Sequence, residues 1–103
     1  MARLTIKDVV RETAAHFGLT DMELLGGRRL RRVAWPRFVA YHLCLQMGRT
    51  YSETGRRLGG RDHTTIIHGV RRLAELRQEN PNLEEGIAAI GARLVALEIG
   101  EAA

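Results

Sequence analysis

The chain has 103 residues, 45% hydrophobic and 27% charged, which fits one domain with a modest core and argues against global disorder. Its single cysteine, Cys44, cannot close an intramolecular disulfide, and no run approaches the roughly 20 apolar residues of a membrane span. The net charge of +4 is unevenly spread: residues 28–72 hold eleven arginines against only Glu53 and Asp62, a local net of +9 between mildly acidic flanks. That is the footprint of a polyanion-binding face, the plainer reading being a solvated surface in an arginine-rich chain. The opening "MARLTIKDVVRE" lacks the apolar core of a signal peptide, so the expected location is cytoplasmic.

Helical periodicity recurs along the chain, and alternating strand patterns are nearly absent. Residues 5–17 place Ile6, Val9, Val10, Ala14 and Phe17 on one face, with Thr5 as N-cap and Gly18 as stop. "TDMELL" supplies a capping box, Thr20 with Glu23, for a short helix ending at Gly26-Gly27. In "RRLRRVAWPRFVAYHLCLQMG" the spacing predicts a helix with Pro36 in its first turn and Val39, Leu43 and Met47 as its stripe. The arginines before Pro36 are expected in an exposed loop. A short helix follows from about Ser52, as N-cap, to Leu58, and Gly59-Gly60 breaks it. "RDHTTIIHGVRRLAELRQEN" then makes a strong helix with Asp62 as N-cap, its carboxylate accepting from an early amide, and Ile66, Val70, Leu73 and Leu76 inward. Pro81 ends it. A last helix turns Leu83, Ile87, Ile90, Leu94 and Leu97 inward, and the tail "EAA" is expected to fray. The predicted fold is all-α, a compact bundle of five or six helices forming one domain over residues 1–103, ordered from about 5 to 98.

A short helix, a glycine turn and a longer helix form a helix-turn-helix pattern, Trp-repressor-like in class. The second helix of that motif presents its N-terminal residues to base edges in the major groove. This accounts for Arg61, Asp62, His63, Thr64 and Thr65 in a first turn where packing needs none of them. Carboxylates accept from the cytosine amino group, and Thr offers a hydroxyl or a methyl.

"GGRDHTTIIHGVRRL", with "GRRLRRVAWPRFVAYHL" upstream, resembles the C-terminal DNA-binding domain of the bacterial replication initiator DnaA, from about Thr5 to Glu98. The resemblance implies base reading by Arg61, Asp62, His63, Thr64 and Thr65 in the major groove and by Arg29 in the minor groove, at the short duplex element called the DnaA box. It implies that Arg37, Arg71 and Arg72 lie near the phosphate backbone. Arg28, Arg31 and Arg32 join that group by their proximity to the motif, and His68 is expected either there or partly buried. Leu30, Trp35 and Phe38 depart from the polar or basic residues common in the family. The loop around Gly48-Arg49 is slightly shorter. No GxxxxGKS/T phosphate loop occurs in these residues, so ATP-driven origin melting is not expected of them alone.

The expected partner is double-stranded DNA, and the expected output is transcriptional regulation, of phage or prophage type, with RNA polymerase or another regulatory protein as a further partner. The alternatives are control of replication initiation by competing at DnaA boxes, and a protein-interaction adaptor using Leu30, Trp35 and Phe38 as an apolar patch. Trp35 suits either a sugar or base contact or a core edge. An enzyme is not expected, since Glu53 and Asp62 are the only carboxylates of the middle region. Neither is a cofactor, nor a metal site from His63, His68 and Cys44, whose spacing matches no zinc motif. The domain is expected to be monomeric in isolation, with the acidic last helix as a surface for DNA-bound neighbours or polymerase.

Overall fold

The computed structural model describes residues 3–26 and 31–100, Arg31 by its backbone alone. Six helices follow one another: α1 (Ile6–His16), α2 (Asp21–Leu25), α3 (Arg31–Gln46), α4 (Tyr51–Arg57), α5 (His63–Glu79) and α6 (Pro81–Glu98). No strand interrupts them among the described residues, so the all-α expectation holds.

Local chemistry starts most of these helices. Thr5 Oγ1 accepts from the Asp8 amide at 3.2 Å, and Asp8 Oδ2 accepts from the Thr5 amide at 2.9 Å. Thr20 and Glu23 make the same reciprocal pair before α2, at 3.1 and 3.0 Å. Each box satisfies two amides that the first turn leaves without helical partners. The cap of α4 is Thr50, not Ser52: its hydroxyl accepts from the Glu53 amide at 3.0 Å, so the helix opens two residues earlier than its sequence suggests. Asn80 caps both neighbours, closing α5 through its amide to Leu76 O at 2.9 Å and preceding Pro81 at the first position of α6.

The largest difference from expectation is the start of α3. The helix runs from Arg31, through residues for which a loop is predicted, and encloses Pro36 in its second turn. Two facts explain it. Val33 is 2% exposed, so an apolar anchor inside the arginine run draws this turn into the core. And Pro36 lies so early in α3 that the hydrogen bond it forfeits is the one to Arg32 O, with barely more than one turn before it to disturb.

Helices α1, α3, α5 and α6 enclose a core that includes Val9, Val39, Cys44, Ile66, Leu73 and Ile90. Fully burying a side chain such as Ile66 contributes about 1.5–3 kcal/mol. Burial pushes the Cys44 thiol up to about 12, which leaves it a protonated core residue. Helices α3 and α5 meet at Gly69, where a Cβ would stand 2.8 Å from Tyr41 Cδ2 and 2.9 Å from Phe38 Cδ1. The inner stripe of α5 is therefore Ile66, Gly69, Leu73 and Leu76, with Val70 only partly buried. Phe38 packs against the core here. Trp35 is 40% exposed.

Candidate nucleic-acid interface

The turn between α4 and α5 is built from glycines. Gly59 and Gly60 take φ of +89° and +67°, in the left-handed region that L side chains rarely enter. Gly55 lets the chain return onto α4: the Arg61 amide donates to Gly55 O at 2.7 Å, and a Cβ on Gly55 would lie 2.2 Å from Arg61 O. A Cβ on Gly59 would lie 2.5 Å from Leu25 O, so the end of α2 is seated against this turn.

Past the turn, α5 opens with its side chains outward. Asp62, His63, Thr64 and Thr65 are all exposed, and the next residue, Ile66, is fully buried. One turn of helix thus carries four chemically varied groups held by a rigid apolar anchor. Asp62 is the N-cap by backbone conformation, but its side chain makes no capping hydrogen bond, which corrects the predicted amide contact. The carboxylate accepts instead from Thr64 Oγ1 and lies 3.2 Å from His63 Nδ1. The Thr64 hydroxyl, and secondarily His63, hold the Asp62 carboxyl below its usual range. Asp62 therefore stays an acceptor near neutral pH, able to take a donor from outside.

Along the same helix His68, Arg71 and Arg72 are exposed. The partial burial considered for His68 is not seen. Arg72 pairs with Glu75 at 2.8 Å. Arg32, in the first turn of α3, is exposed and pairs with Glu23. Arg56 and Arg57 are exposed in the last turn of α4. Neither was among the sequence candidates, although the first helix of a helix-turn-helix crosses the backbone and favours basic residues there. Arg28 and Arg29, with Leu30 and the side chain of Arg31, lie outside the described residues, as does the tail from Glu101.

Two of the expected DNA contacts are engaged elsewhere. Arg37 is 8% exposed. Its Nε donates to Leu24 O at 2.8 Å and its Nη2 to Glu23 O at 3.1 Å and to Gly26 O. This corrects its placement beside the phosphate backbone: α2 ends with orphan carbonyls facing the interior, and a guanidinium is the side chain that can satisfy several at once. Burial, and after it the charge of Arg61, lower the Arg37 pKa, yet a guanidinium remains charged at any physiological pH. Arg61 is only partly exposed. Its Nη2 donates to Gly26 O at 2.7 Å, and its Nη1 donates to Leu58 O and reaches Leu25 O at 3.4 Å. Its side chain is turned to α2 and to its own turn, away from the neighbours with which it is expected to read bases.

No helix among the described residues is long and apolar enough to cross a membrane. No three His, Cys, Asp or Glu side chains among them come together as a metal site.

Residues 6–73 match the family described as the bacterial DnaA protein helix-turn-helix, a span that runs from the start of α1 into α5. The chain is similar to the chromosomal replication initiator protein DnaA of several bacteria. It is 42% identical to that of Caulobacter sp. (strain K31) over 93 residues, 89% of this chain and 19% of the relative. It is 40% identical to that of Ruegeria sp. (strain TM1040) over 86 residues, 82% and 18%. It is 45% identical to that of Sphingopyxis alaskensis over 89 residues, 85% and 20%. The chain spans about a fifth of the length of these relatives. With two capped short helices, a glycine turn and a long helix opening on an exposed polar turn inside the matched span, the chain belongs to the bacterial DnaA protein helix-turn-helix family.

Proposed function

We propose that this chain binds double-stranded DNA sequence-specifically at DnaA boxes. In this reading the first turn of α5 enters the major groove, and Asp62, His63, Thr64 and Thr65 meet base edges. Arg29 reaches the adjacent minor groove. Arg32, His68, Arg71 and Arg72, with Arg28 and Arg31, lie along the phosphates, which fix register without reading sequence. Arg56 and Arg57 join them from α4.

The observation that carries the reading is the abrupt change at Ile66. Four consecutive exposed polar residues precede a fully buried one, so a varied hydrogen-bonding surface sits on a position the core holds rigid. A solvated helix start needs no such set.

The relatives are named as replication initiators, which favours a role in replication initiation over the transcriptional output expected from sequence. Occupying a box, and so controlling access to it, is the activity these residues supply. The location is then cytoplasmic, at the nucleoid, and the domain is a monomer in isolation.

In vitro selection of duplex DNA at physiological salt, with a DnaA-box duplex as control, tests the proposal. Enrichment of the box supports it. Enrichment of an unrelated motif moves the reading to promoter control, and the absence of any motif moves it to the adaptor.

A further inference from the structure

The described arginines along the proposed phosphate path differ in their company. Arg56, Arg57 and Arg71 are exposed, and among the described residues none of them has a carboxylate at ion-pair distance. Arg32 and Arg72 are exposed too, but each stands against a carboxylate: Arg32 against Glu23, and Arg72 against Glu75 at 2.8 Å. The two carboxylates are held differently. The Glu75 side chain is 63% exposed, with Arg72 as its hydrogen-bond partner. Glu23 is pinned from two sides. Its Oε1 accepts from the Thr20 amide at 3.0 Å, as half of the capping box of α2, and its Oε2 accepts from Arg32. The cap bond, and after it Arg32, hold the Glu23 carboxyl below its usual range. A negative charge is thus fixed on α2 beside the first turn of α3.

We infer that Glu23 restrains DNA binding: fixed by its cap bond, its carboxylate competes with a duplex phosphate for Arg32 and repels that phosphate by its own charge. The inference rests on the DNA-binding reading above. Carboxylate and phosphate take the same charge-assisted hydrogen bonds from a guanidinium, so an arginine already held by one offers less to the other. Turning away would relieve the repulsion, but it would cost Glu23 its cap bond; Glu75 has no cap to keep and can turn to solvent. The capping box does not itself require the charge, since a Gln at this position completes it as well. Phosphate attraction supplies nearly all of non-specific binding. A fixed carboxylate on the phosphate path therefore weakens the hold on every sequence and leaves occupancy to sites where base contacts add to it.

A double-mutant cycle tests this, with Glu23→Gln, Arg32→Ala and the double variant, each measured at several salt concentrations and accompanied by its unfolding temperature. Glu23→Gln is expected to tighten binding to a DnaA-box duplex and to a random duplex alike, about three-fold, and to steepen the salt slope by up to about 0.9. Glu85→Gln removes the same net charge from α6, at an exposed residue in no ion pair, and should change either affinity by less than about 1.5-fold. Arg32→Ala is expected to cost less than about two-fold in the wild-type background and about three-fold in the Glu23→Gln background. Equal costs in the two backgrounds overturn the inference, because Glu23 then does not restrain Arg32. A Glu85→Gln effect as large as that of Glu23→Gln overturns it too, since net charge alone is then at work. Should Glu23→Gln unfold at the assay temperature, Arg32→Ala is compared with Arg71→Ala in the wild-type background: the smaller loss for Arg32→Ala supports the inference, and equal losses overturn it. A wild-type chain that binds neither duplex fails earlier, on the DNA-binding reading itself, and takes this inference with it.

Discussion

Arg61 and His63 stand two residues apart in one polar run, yet they belong to different regions of the molecule. Arg61 is drawn to the carbonyls of Leu25, Gly26 and Leu58. The His63 side chain is 53% exposed and its neighbours in the first turn of α5 face outward with it. The lesson is that a basic residue inside a recognition motif can serve the scaffold. What separates the two is the supply of acceptors: the carbonyls that end α2 lie beside Arg61, whereas His63 has the Asp62 carboxylate beside it and is exposed.

The contrast can be broken at its inner half first. Arg37→Ala removes donors from three inward-facing carbonyls and is expected to lower the unfolding free energy by about 3 kcal/mol, read as a shifted urea midpoint at constant slope. Gly55→Ala places a Cβ against Arg61 O and is expected to cost about 2 kcal/mol. Gly60→Ala meets nothing within 4 Å and should cost only the left-handed backbone term, about 1 kcal/mol. If the two glycine variants melted alike, close approach would not be what Gly55 provides.

The outer half should behave in the opposite way. His63→Ala is expected to leave stability within about 0.5 kcal/mol while losing about 1–3 kcal/mol of binding to the preferred duplex and blurring discrimination at one position. Arg71→Ala should weaken all sequences alike and reduce the salt slope by about 0.9. Titrations at several salt concentrations separate the two; a flat loss for His63→Ala and a selective one for Arg71→Ala would reverse the assignment.

The smallest expected effect lies away from the interface. His42, on α3, faces Arg77 of α5 and Glu84 of α6, and its Nε2 is buried without a hydrogen-bond partner among the described residues. Burial, and then the charge of Arg77, lower its pKa from the ordinary 6.5, while Glu84 opposes them weakly. Below 6.5 the unfolded chain binds a proton that the folded chain resists, so stability should fall as pH drops from about 6.5 toward the lowered value, and level off once the folded imidazole is protonated too. Thermal unfolding across this window, above the pH range in which the carboxylates titrate, should show a slope that His42→Gln removes. Arg77 itself is held by Glu84, Nε to Oε2 at 2.7 Å, and should contribute no slope there.

Much of the architecture was legible residue by residue. Thr5 and Thr20 announce their helices because a hydroxyl three residues before a carboxylate makes a reciprocal pair with few competitors. The apolar spacing of α5 and α6 identifies their inner faces, with Gly69 the one place where the stripe hides a glycine. The start of α3 was less legible. Pro36 is a strong local signal for a first turn, and only the burial of Val33 outweighs it. The exposed turn at Asp62–Thr65 was readable as a candidate surface because four polar residues there serve no packing need. The inward turn of Arg37 and Arg61 left no such trace, since an arginine in a basic run looks the same whether it faces phosphate or carbonyl.

By itself the sequence determined the helical class, most of the caps, the glycine turn and the family, because each depends on contacts a few residues apart or on a contiguous motif. The tertiary structure alone decided which arginines of the basic stretch are free to face a ligand. That choice depends on where α2 ends in space relative to α3 and the α4–α5 turn: Arg37 lies 11 residues from Gly26 and Arg61 lies 35, and no local pattern in a chain records a meeting across such separations.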